Sequence, residues 1–355
     1  MITISLCMIV RDEEQVLGRC LSTVEGIAEE IIIADTGSSD RTKEIAREFG
    51  ATVCDFKWID DFSAARNFSF SKAVMDYQMW LDADDIILPN DREKILELKR
   101  TLPPDTDLVT MKYNTHFDED GSPILTSTRG RLFRRLSNFV WNDPVHEYIV
   151  FCGKVYHAPD IFITHRKESA YTSRNLRIYE RLVAEGKPLS ARGMYYFARE
   201  LRDNGRFAEA AKYFEAFVEG GEGWVEDNIA SCFHLGSCWL RLCDIERAID
   251  WLLRGFHYDA PRAEICCELG YCYQQKKDYR RAREWYLLAA RLDKPNNMGF
   301  MLHDYWGYIP NIELAVCSYN LGKYNDAVFY NEKAAEYKPS AKAVQHNRNF
   351  FASLL

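Results

Sequence analysis

The sequence lacks the features that mark exported, membrane-spanning and disulfide-stabilised proteins. None of its apolar runs approaches the ~18–20 residues that a helical membrane span needs. Residues 1–10 are apolar but carry no basic segment and no cleavage site, so they predict a buried strand rather than a signal peptide. The 11 cysteines are scattered without a CxxC pair, and their odd number favours reduced thiols in a cytoplasmic protein.

The sequence also has no excess of positive charge. With 45 Lys and Arg against 53 Asp and Glu, the formal net charge is -8, which argues against nucleic acid as a partner. One local basic cluster could contact phosphate or belong to an ordinary solvated strand face; it consists of Arg129, Arg131, Arg134 and Arg135. What the sequence does have is length, because 355 residues suffice for two domains that each bury a core.

The first half alternates short β-branched runs with helical patterns. Strands are predicted at residues 4–10, 30–34, 51–54 and 77–81, and helices at residues 13–24, 41–49 and 64–75. Ser39 or Asp40 can cap the second of these helices. Alternation of this kind predicts an α/β fold, in which helices cover both faces of a mostly parallel, Rossmann-like sheet.

Acidic residues follow two of the predicted strands. Asp35 comes at the end of the second strand, and Asp82 and Asp84 come after the fourth, where the ligands of such sheets bind. Residues two apart on an extended segment face the same way, so Asp82 and Asp84 can meet one ligand. Because neighbouring carboxylates repel, a divalent cation is expected among them. The alternative is an acidic helix N-cap formed by Asp85.

The second half is helical and repetitive. Four segments share a turn, an apolar or aromatic residue and a small alanine, and these alanines are Ala210, Ala248, Ala282 and Ala327. They are separated by 38, 34 and 45 residues, and the middle value is the tetratricopeptide period. An insertion is expected near residues 295–297. Stacked helical hairpins of this kind present a concave surface for peptides or for dimerisation, although generic helical hairpins would give a similar pattern.

Four motifs in the first ninety residues resemble those of the family 2 glycosyltransferases. They are SLCMIVRDEE (residues 5–14), IADTGSSD (33–40), DFSAARN (61–67) and WLDADD (80–85). The resemblance is to a bacterial type with C-terminal tetratricopeptide repeats. It implies a GT-A nucleotide-sugar-binding domain at residues 1–170, a linker helix at 171–189 and an all-α domain of tetratricopeptide-like repeats at 190–355.

The resemblance implies roles for residues that follow the first two strands. Asp35 matches the acid that hydrogen-bonds the pyrimidine edge of the donor, and the strand end from Ile9 to Arg11 is implied to lie against the same base. The sequence departs from the family at Asp12, where relatives often have Asn. This departure puts an additional negative charge near the donor.

The diphosphate and the metal are assigned in the same way. Arg66 matches the arginine near the nucleotide diphosphate, with Asn67 beside it. In the DXD motif Asp82 faces the ribose, and Asp84 is the expected ligand of Mn²⁺ or Mg²⁺. His165, at the end of a later apolar strand, matches a histidine that completes the metal site in several GT-A enzymes, since imidazole suits Mn²⁺ beside carboxylates.

The acceptor side is implied by residues 139–148, which resemble the family's Val-His-Glu region. An inverting enzyme needs a general base there. Glu147 is the first candidate, and Asp143 and His146 are the alternatives; His146 and Glu147 could instead orient each other. Trp141 could stack on a sugar ring or belong to the core.

These residues predict a metal-dependent inverting glycosyltransferase that takes a UDP-sugar donor. The repeats favour a peptide or protein acceptor, and assembly of envelope or capsule polysaccharide is the alternative. The repeats could also form a homodimer. A hypothesis of another class is a binding or assembly module with a vestigial donor pocket. A nucleotidyltransferase would need a glycine-rich phosphate loop after the first strand, where this sequence has the acidic segment RDEE.

Overall fold

A computed structural model describes residues 1–166, 173–295 and 298–353. The chain divides into two compact units, Met1–Ile178 and Tyr179–Leu355. The helix predicted as a linker, residues 171–189, begins outside the described residues; α5 (Arg174–Ala184) is its described part and crosses the division between the units. Among the described residues, no helix combines the length and the apolar composition needed to span a bilayer.

The first unit consists of a sheet with helices on both faces. Its strands are β1 (Ile4–Val10), β2 (Glu30–Asp35), β3 (Thr52–Asp55), β4 (Tyr77–Trp80), β5 (Asp85–Ile86), β6 (Leu108–Phe117), β7 (Pro123–Arg134), β8 (Trp141–Asn142), β9 (Tyr148–Ile149) and β10 (Val155–His165). Its helices are α1 (Leu17–Thr23), α2 (Thr42–Glu48), α3 (Phe62–Phe70) and α4 (Pro89–Thr101).

The strand order within this unit is β3-β2-β1-β4-β7-β6-β10-β5, with β8 and β9 paired separately. The first four strands are parallel, as the sequence predicts. The far half of the sheet is mixed, because β7 runs antiparallel to both β4 and β6, and β5 runs antiparallel to β10. A mostly parallel sheet is therefore correct only for the first half, since β6 and β7 follow each other as a hairpin with no helix between them.

The buried strand β1 organises the core of this unit. One of its faces packs with Leu17, Leu21 and Ile95 from the covering helices, and Cys7 on the opposite face joins an aromatic cluster. The helix predicted at 13–24 begins only at Leu17. The helix predicted at 64–75 begins earlier, at Phe62, because the Asp61 side chain accepts a hydrogen bond from the Ala64 amide at 2.9 Å.

The second unit is a stack of helical hairpins, which confirms the predicted tetratricopeptide-like repeats. The hairpins are α6 (Ala191–Asp203) with α7 (Phe207–Gly220), α8 (Val225–Arg241) with α9 (Ile245–Arg254), α10 (Ala263–Gln275) with α11 (Tyr279–Ala289), and α12 (Tyr308–Asn320) with α13 (Tyr324–Tyr337); α14 (Lys342–Ala352) follows. The four repeated alanines are all fully buried. In the second and third hairpins the helices approach closely at Gly236 and Gly270, where a Cβ would lie 2.5 Å from Leu252 and 2.6 Å from Tyr286.

The insertion predicted near residues 295–297 separates α11 from α12, and residues 296 and 297 lie outside the described part. The residues that follow it contact the first helices of three hairpins. Phe300 lies 4.8 Å from the Arg199 guanidinium of α6, and the Tyr305 ring meets Phe233 of α8 at 5.8 Å. The Tyr305 hydroxyl donates to Glu268 of α10 at 3.0 Å. This part of the chain therefore covers the surface formed by α6, α8 and α10.

Candidate active site

The candidate site lies at the carboxyl edge of the parallel strands. β1 is flanked by β2 and β4, so the segments after Val10, Asp35 and Trp80 emerge side by side. The long apolar runs bury these strands on both faces, which leaves the polar residues that follow them at the edge of the sheet.

Asp35 is buried at this edge with one carboxylate oxygen unused. Its Oδ2 accepts hydrogen bonds from the amides of Gly37 and Ser38, each at 3.0 Å, and lies 3.4 Å from Lys43 Nζ. Its Oδ1 is buried and has no hydrogen-bond partner within the described part of the chain. A buried acceptor without a partner is costly, so it suits an N–H donor of a ligand.

Asp12 organises the loop beside Asp35. Its backbone is left-handed, with φ of 53°, and its Oδ1 accepts hydrogen bonds from the Ser39 amide at 2.7 Å and the Ser39 hydroxyl at 3.1 Å. Its own amide donates to Ser38 Oγ at 3.0 Å. An acid at this position thus joins the ends of β1 and β2. The exposed Arg11 guanidinium lies 3.6 Å from the same carboxylate, and Ile9 is half-buried at the end of β1.

Arg66 is buried between two aromatic rings and two carboxylates. Its guanidinium lies 4.6 Å from the Trp80 ring and 5.0 Å from the Trp141 ring. Its Nε donates to Glu147 Oε1, and its Nη2 donates to Asp82 Oδ1 at 2.7 Å. Burial acts to raise the pKa of Asp82, but the charge and hydrogen bond of Arg66 outweigh it and hold that pKa below its ordinary value. The structure thus brings three predicted site residues together.

Asn67 and Trp141 are used to build the scaffold. Asn67 Nδ2 donates to the Trp141 carbonyl at 2.9 Å, and the Trp141 amide donates to Asn67 Oδ1 at 2.9 Å. Both atoms of the Asn67 amide are therefore engaged with the β8 backbone. The Trp141 ring makes edge contacts with Phe70 at 5.7 Å and Trp80 at 5.3 Å, so the core alternative applies to Trp141.

A second charged cluster is built around Asp85, which is fully buried. The pairing of β5 with β10 places Asp85 opposite His165, and Tyr113 is on the neighbouring β6. Asp85 Oδ1 accepts from the Tyr113 hydroxyl at 2.8 Å and lies 3.1 Å from His165 Nδ1. Its Oδ2 accepts from the Asp82 amide at 3.0 Å and from Arg131 at 3.3 Å. A helix N-cap at Asp85 is therefore wrong, because its oxygens serve these side chains and α4 begins only at Pro89.

Arg131 also departs from expectation. The sequence places Arg131 in a basic cluster that is expected to contact phosphate or solvent. Its side chain is instead fully buried. Its guanidinium lies 3.8 Å from the Trp80 ring and 4.3 Å from the Tyr113 ring, and it also donates to the Trp80 carbonyl. Neither phosphate contact nor a solvated strand face is therefore correct for Arg131, because its side chain points from β7 into the interior of the first unit.

Asp84 and His165 are the partly exposed members of the second cluster. Asp84 Oδ1 lies 3.2 Å from His165 Nδ1, with about a fifth of each side chain exposed. Burial acts to lower the pKa of His165, but hydrogen bonds with Asp84 and Asp85 outweigh it and raise the pKa to about 10. Asp84, Asp85 and His165 offer ligand atoms within 4.8 Å of one another. The oxygens of Asp85 and the Nδ1 of His165 already have partners. The donors that remain for a divalent cation are therefore a carboxylate oxygen of Asp84 and Nε2 of His165.

The candidate bases lie on the short loop between β8 and β9. The Pro144 carbonyl in this loop accepts from the Phe62 amide at 2.9 Å, which attaches it to the start of α3. Asp143 and His146 have left-handed backbones, with φ of 64° and 53°, and half-buried side chains. Glu147 is the candidate base whose carboxylate accepts a hydrogen bond from Arg66. Its side chain is 12% exposed.

Two family models match parts of the chain. Residues 5–157 match the model of glycosyl transferase family 2, and residues 263–296 match a tetratricopeptide repeat. Residues 5–157 form a family 2 glycosyltransferase domain.

Several curated proteins are similar to parts of this chain. The chain is 40% identical over 151 residues to a TPR repeat-containing protein of Synechococcus elongatus, covering 42% of this chain and 36% of that protein. It is 28% identical to the glycosyltransferase SunS of Bacillus subtilis, covering 61% of this chain and 53% of SunS. A glycosyltransferase of Rickettsia felis is 24% identical, covering 64% and 84%. The chain thus spans about a third and about half of the first two relatives.

Solved structures of repeat proteins also resemble part of the chain. The MamA protein matches 45% of this chain and 79% of its own length, with 20% identity and a TM-score of 0.36. A TPR protein of Thermus thermophilus covers 51% of this chain and 89% of its own length, with 19% identity and a TM-score of 0.37.

Two charged residues near the family 2 site were not predicted from the sequence. Glu13 follows β1, and burial together with the charges of Asp84 and Asp82 raises its pKa to about 7. Arg174 begins α5, beyond the predicted domain limit at 170, and interacts electrostatically with Glu13 and Glu147. The motif RDEE contains Glu13 and could have suggested it, whereas no motif marks Arg174.

Proposed function

We propose that this protein is a metal-dependent, inverting glycosyltransferase that uses a UDP-sugar donor. The observation that carries the proposal is the contact of Asp84 Oδ1 with His165 Nδ1 at 3.2 Å, which brings the two side chains together near Asp82 and leaves His165 Nε2 for a ligand. An oxygen and a nitrogen ligand fit Mn²⁺ or Mg²⁺ at this position. A cation held there would neutralise charge on a departing diphosphate.

The donor is proposed to bind across the ends of β1, β2 and β4. The unused Oδ1 of Asp35 would accept the N–H of a uracil base, with Ile9 and Arg11 at the adjoining strand end. Asp82 has 36% of its side chain exposed and would face the ribose, while Arg66 fixes its orientation. Asn67 supports this arrangement through the β8 backbone rather than by touching the donor.

Transfer is proposed to proceed with Glu147 as the general base. Its carboxylate would take the proton of the acceptor nucleophile as the bond to the anomeric carbon forms and the bond from that carbon to the diphosphate breaks. Arg66 holds the carboxylate in place through its Nε donor, and 12% of the Glu147 side chain remains exposed to an acceptor. Asp143 and His146, on the same loop, are the alternative bases.

A peptide or protein side chain is the proposed acceptor, because helical-repeat units offer extended surfaces for such partners. Residues that follow the insertion cover the surface formed by α6, α8 and α10. Large exposed aromatics instead lie on α13, where Tyr324, Phe329 and Tyr337 are each more than half exposed. This surface is the proposed contact for a peptide.

The test is calorimetric titration of UDP into the full chain with and without Mn²⁺. We expect Mn²⁺ to strengthen UDP binding at least tenfold in the wild type. Asp84→Asn should abolish this gain, because it removes a charged metal ligand, whereas Glu93→Gln, an exposed change on α4, should retain it. UDP binding that is independent of Mn²⁺, or an unchanged gain in Asp84→Asn, would contradict the metal-dependent mechanism.

A donor screen then addresses the reaction itself. Hydrolysis of UDP-sugars and GDP-sugars is measured with Mn²⁺, followed by transfer to peptides that contain Ser, Thr, Cys or Asn. Transfer to peptide supports the proposed acceptor. Transfer only to glycan primers would assign the enzyme to polysaccharide assembly, and no hydrolysis or transfer with any donor would favour a binding module.

A further inference from the structure

The arginine that the family 2 resemblance assigns to the diphosphate is not available for it in this protein. Two nitrogens of Arg66 are engaged by Glu147 and Asp82, the third is buried without a partner among the described residues, and only 6% of the side chain is exposed. A nucleoside diphosphate leaves with several negative charges, in a site that already holds several carboxylates. It needs positive charge from another side chain besides a metal.

Other arginines near the site are also occupied. Arg131 is fully buried against Asp85, and Arg19 donates to the Arg166 carbonyl at 3.0 Å. Arg11 is exposed but lies beside the Asp12 carboxylate at 3.6 Å.

Arg174 differs from these residues in its position and in its contacts. It is the first residue of α5, and its guanidinium lies 4.7 Å from the ring of Phe62, the first residue of α3. Its electrostatic neighbours are the carboxylates of Glu13, Glu147 and Asp82 and the guanidinium of Arg11, and they come from the ends of β1 and β4 and from the β8–β9 loop. The guanidinium therefore faces the same edge of the sheet as the proposed donor site.

Arg174 is also uncommitted. Within the described ranges, no carboxylate lies within ion-pair distance of its nitrogens, and Glu13 and Glu147 attract it only at longer range. The residue is exposed as a whole, although burial of its charged end lowers its pKa. The contact with the Phe62 ring, 4.7 Å from the guanidinium carbon, uses none of its N–H donors. A planar guanidinium with free donors matches the oxygens of a phosphate group.

We infer that Arg174 binds the diphosphate of the nucleotide donor and stabilises it as the leaving group, while Arg66 serves only to orient Asp82 and Glu147. This inference rests on the proposed function. It assigns the diphosphate contact to a helix that follows the family 2 domain, and it makes residues beyond 157 necessary for donor binding.

The test compares UDP with uridine, which has the same base and ribose but no phosphate. Both are titrated with Mn²⁺ into the full-length wild type, Arg174→Ala, Arg174→Lys and Arg177→Ala; Arg177 is an exposed arginine one turn further along α5. We expect Arg174→Ala to weaken UDP binding about 10- to 100-fold and to leave uridine binding unchanged, because one charge-assisted contact is lost. Arg174→Lys should lose less, and Arg177→Ala should match the wild type.

The outcomes separate this inference from the proposed function. Equal UDP affinity of Arg174→Ala and the wild type overturns the inference alone, as does an equal loss for UDP and uridine. Absence of UDP binding by the wild type overturns both. As a second readout, donor hydrolysis by Arg174→Ala should show a lower kcat as well as a higher KM, since the contact also serves the departing diphosphate.

Discussion

Both units contain buried polar atoms without a hydrogen bond among the described residues, but the two units differ in how their buried charges are neutralised. In the first unit, Arg66 is held by Asp82 and Glu147, and Asp85 by Arg131. In the second unit, Glu264 Oε2 and Nε of Arg199 are buried without a hydrogen bond, and neither side chain forms an ion pair among the described residues. The buried ion pairs of the first unit are therefore the features that depend on opposite charges.

The sources of the contacts differ as well. Arg66 and Glu147 are 81 residues apart, and Arg131 and Asp85 are 46 apart, so the charged clusters depend on the order of the strands. The repeat unit is held by contacts within each hairpin, such as Gly236 against Leu252 and Gly270 against Tyr286. The comparison teaches that the first unit is organised around a site and the second around a repeated packing contact.

The largest effect on stability is expected from breaking the buried pair of the first unit. Arg131→Met removes the buried guanidinium from the fully buried Asp85 and leaves only the partly exposed His165 beside it, so the free energy of unfolding should fall by ~3–5 kcal/mol. Urea unfolding of the full chain, with hydrogen exchange of β5 and β7 as the local probe, measures this loss. Arg134→Met, on the same strand but half-buried, is the control and should cost less than ~1 kcal/mol. A loss that is equally small for Arg131→Met would remove the basis of the comparison.

An intermediate effect is expected at the hairpin contact of the second unit. Gly270→Ala places a Cβ 2.6 Å from the buried Tyr286 ring, so overpacking should cost ~1–3 kcal/mol. Gly220, at the end of α7, has open space around it, and Gly220→Ala should be neutral or stabilising by up to ~1 kcal/mol. Thermal unfolding followed by far-UV circular dichroism distinguishes the two variants. If they are equally stable, close helix approach does not hold the hairpin.

The smallest effect concerns the unpaired Glu264. Burial, more than the nearby Glu226, raises its pKa to about 7, and Arg262 only partly opposes this. The folded state binds the Glu264 proton more tightly than the unfolded state, because its pKa lies above the unfolded value of 4.5. The free energy of unfolding therefore falls as the pH rises from about 4.5 to 7, and it changes little above that. Glu264→Gln should therefore exceed the wild type by about 1–2 kcal/mol at pH 8 and match it near pH 4.5.

Urea unfolding at the two pH values checks this difference. Glu284→Gln on α11 is the control, because its side chain is 70% exposed and should give the same stability as the wild type at both values. A Glu264→Gln variant that is no more stable at pH 8 would show that the carboxylate has a partner in solution.

Much of the fold could be predicted because it is encoded locally. The four parallel strands follow from apolar runs, and the repeats follow from alanines 38, 34 and 45 residues apart, each of which is buried. The mixed half of the sheet could not be predicted in this way, because the hairpin of β6 and β7 has no strand–helix alternation and its neighbours are chosen by long-range pairing.

The candidate site shows the same division. Asp35, Asp82 and Asp84 could be located because each lies at or just after the end of a strand, but the partners of these residues could not. His165 is opposite Asp85 only because β10 pairs with β5, and Tyr113 reaches Asp85 only because β6 lies next to β10. Arg174 could not be found at all from local pattern, since its position depends on where α5 meets α3.

The sequence by itself determined which residue types are present at the carboxyl edge of the sheet and that a stack of helical hairpins follows. Only the tertiary structure decided which charges neutralise one another, and therefore which remain for a ligand. It assigned Arg66 and Arg131 to carboxylates of the protein, and left Asp35 Oδ1 without a hydrogen bond and Arg174 without an ion pair among the described residues. The reason is physical: an unpaired buried charge is costly, and in the first unit its partner is set by the order of the strands rather than by distance along the chain.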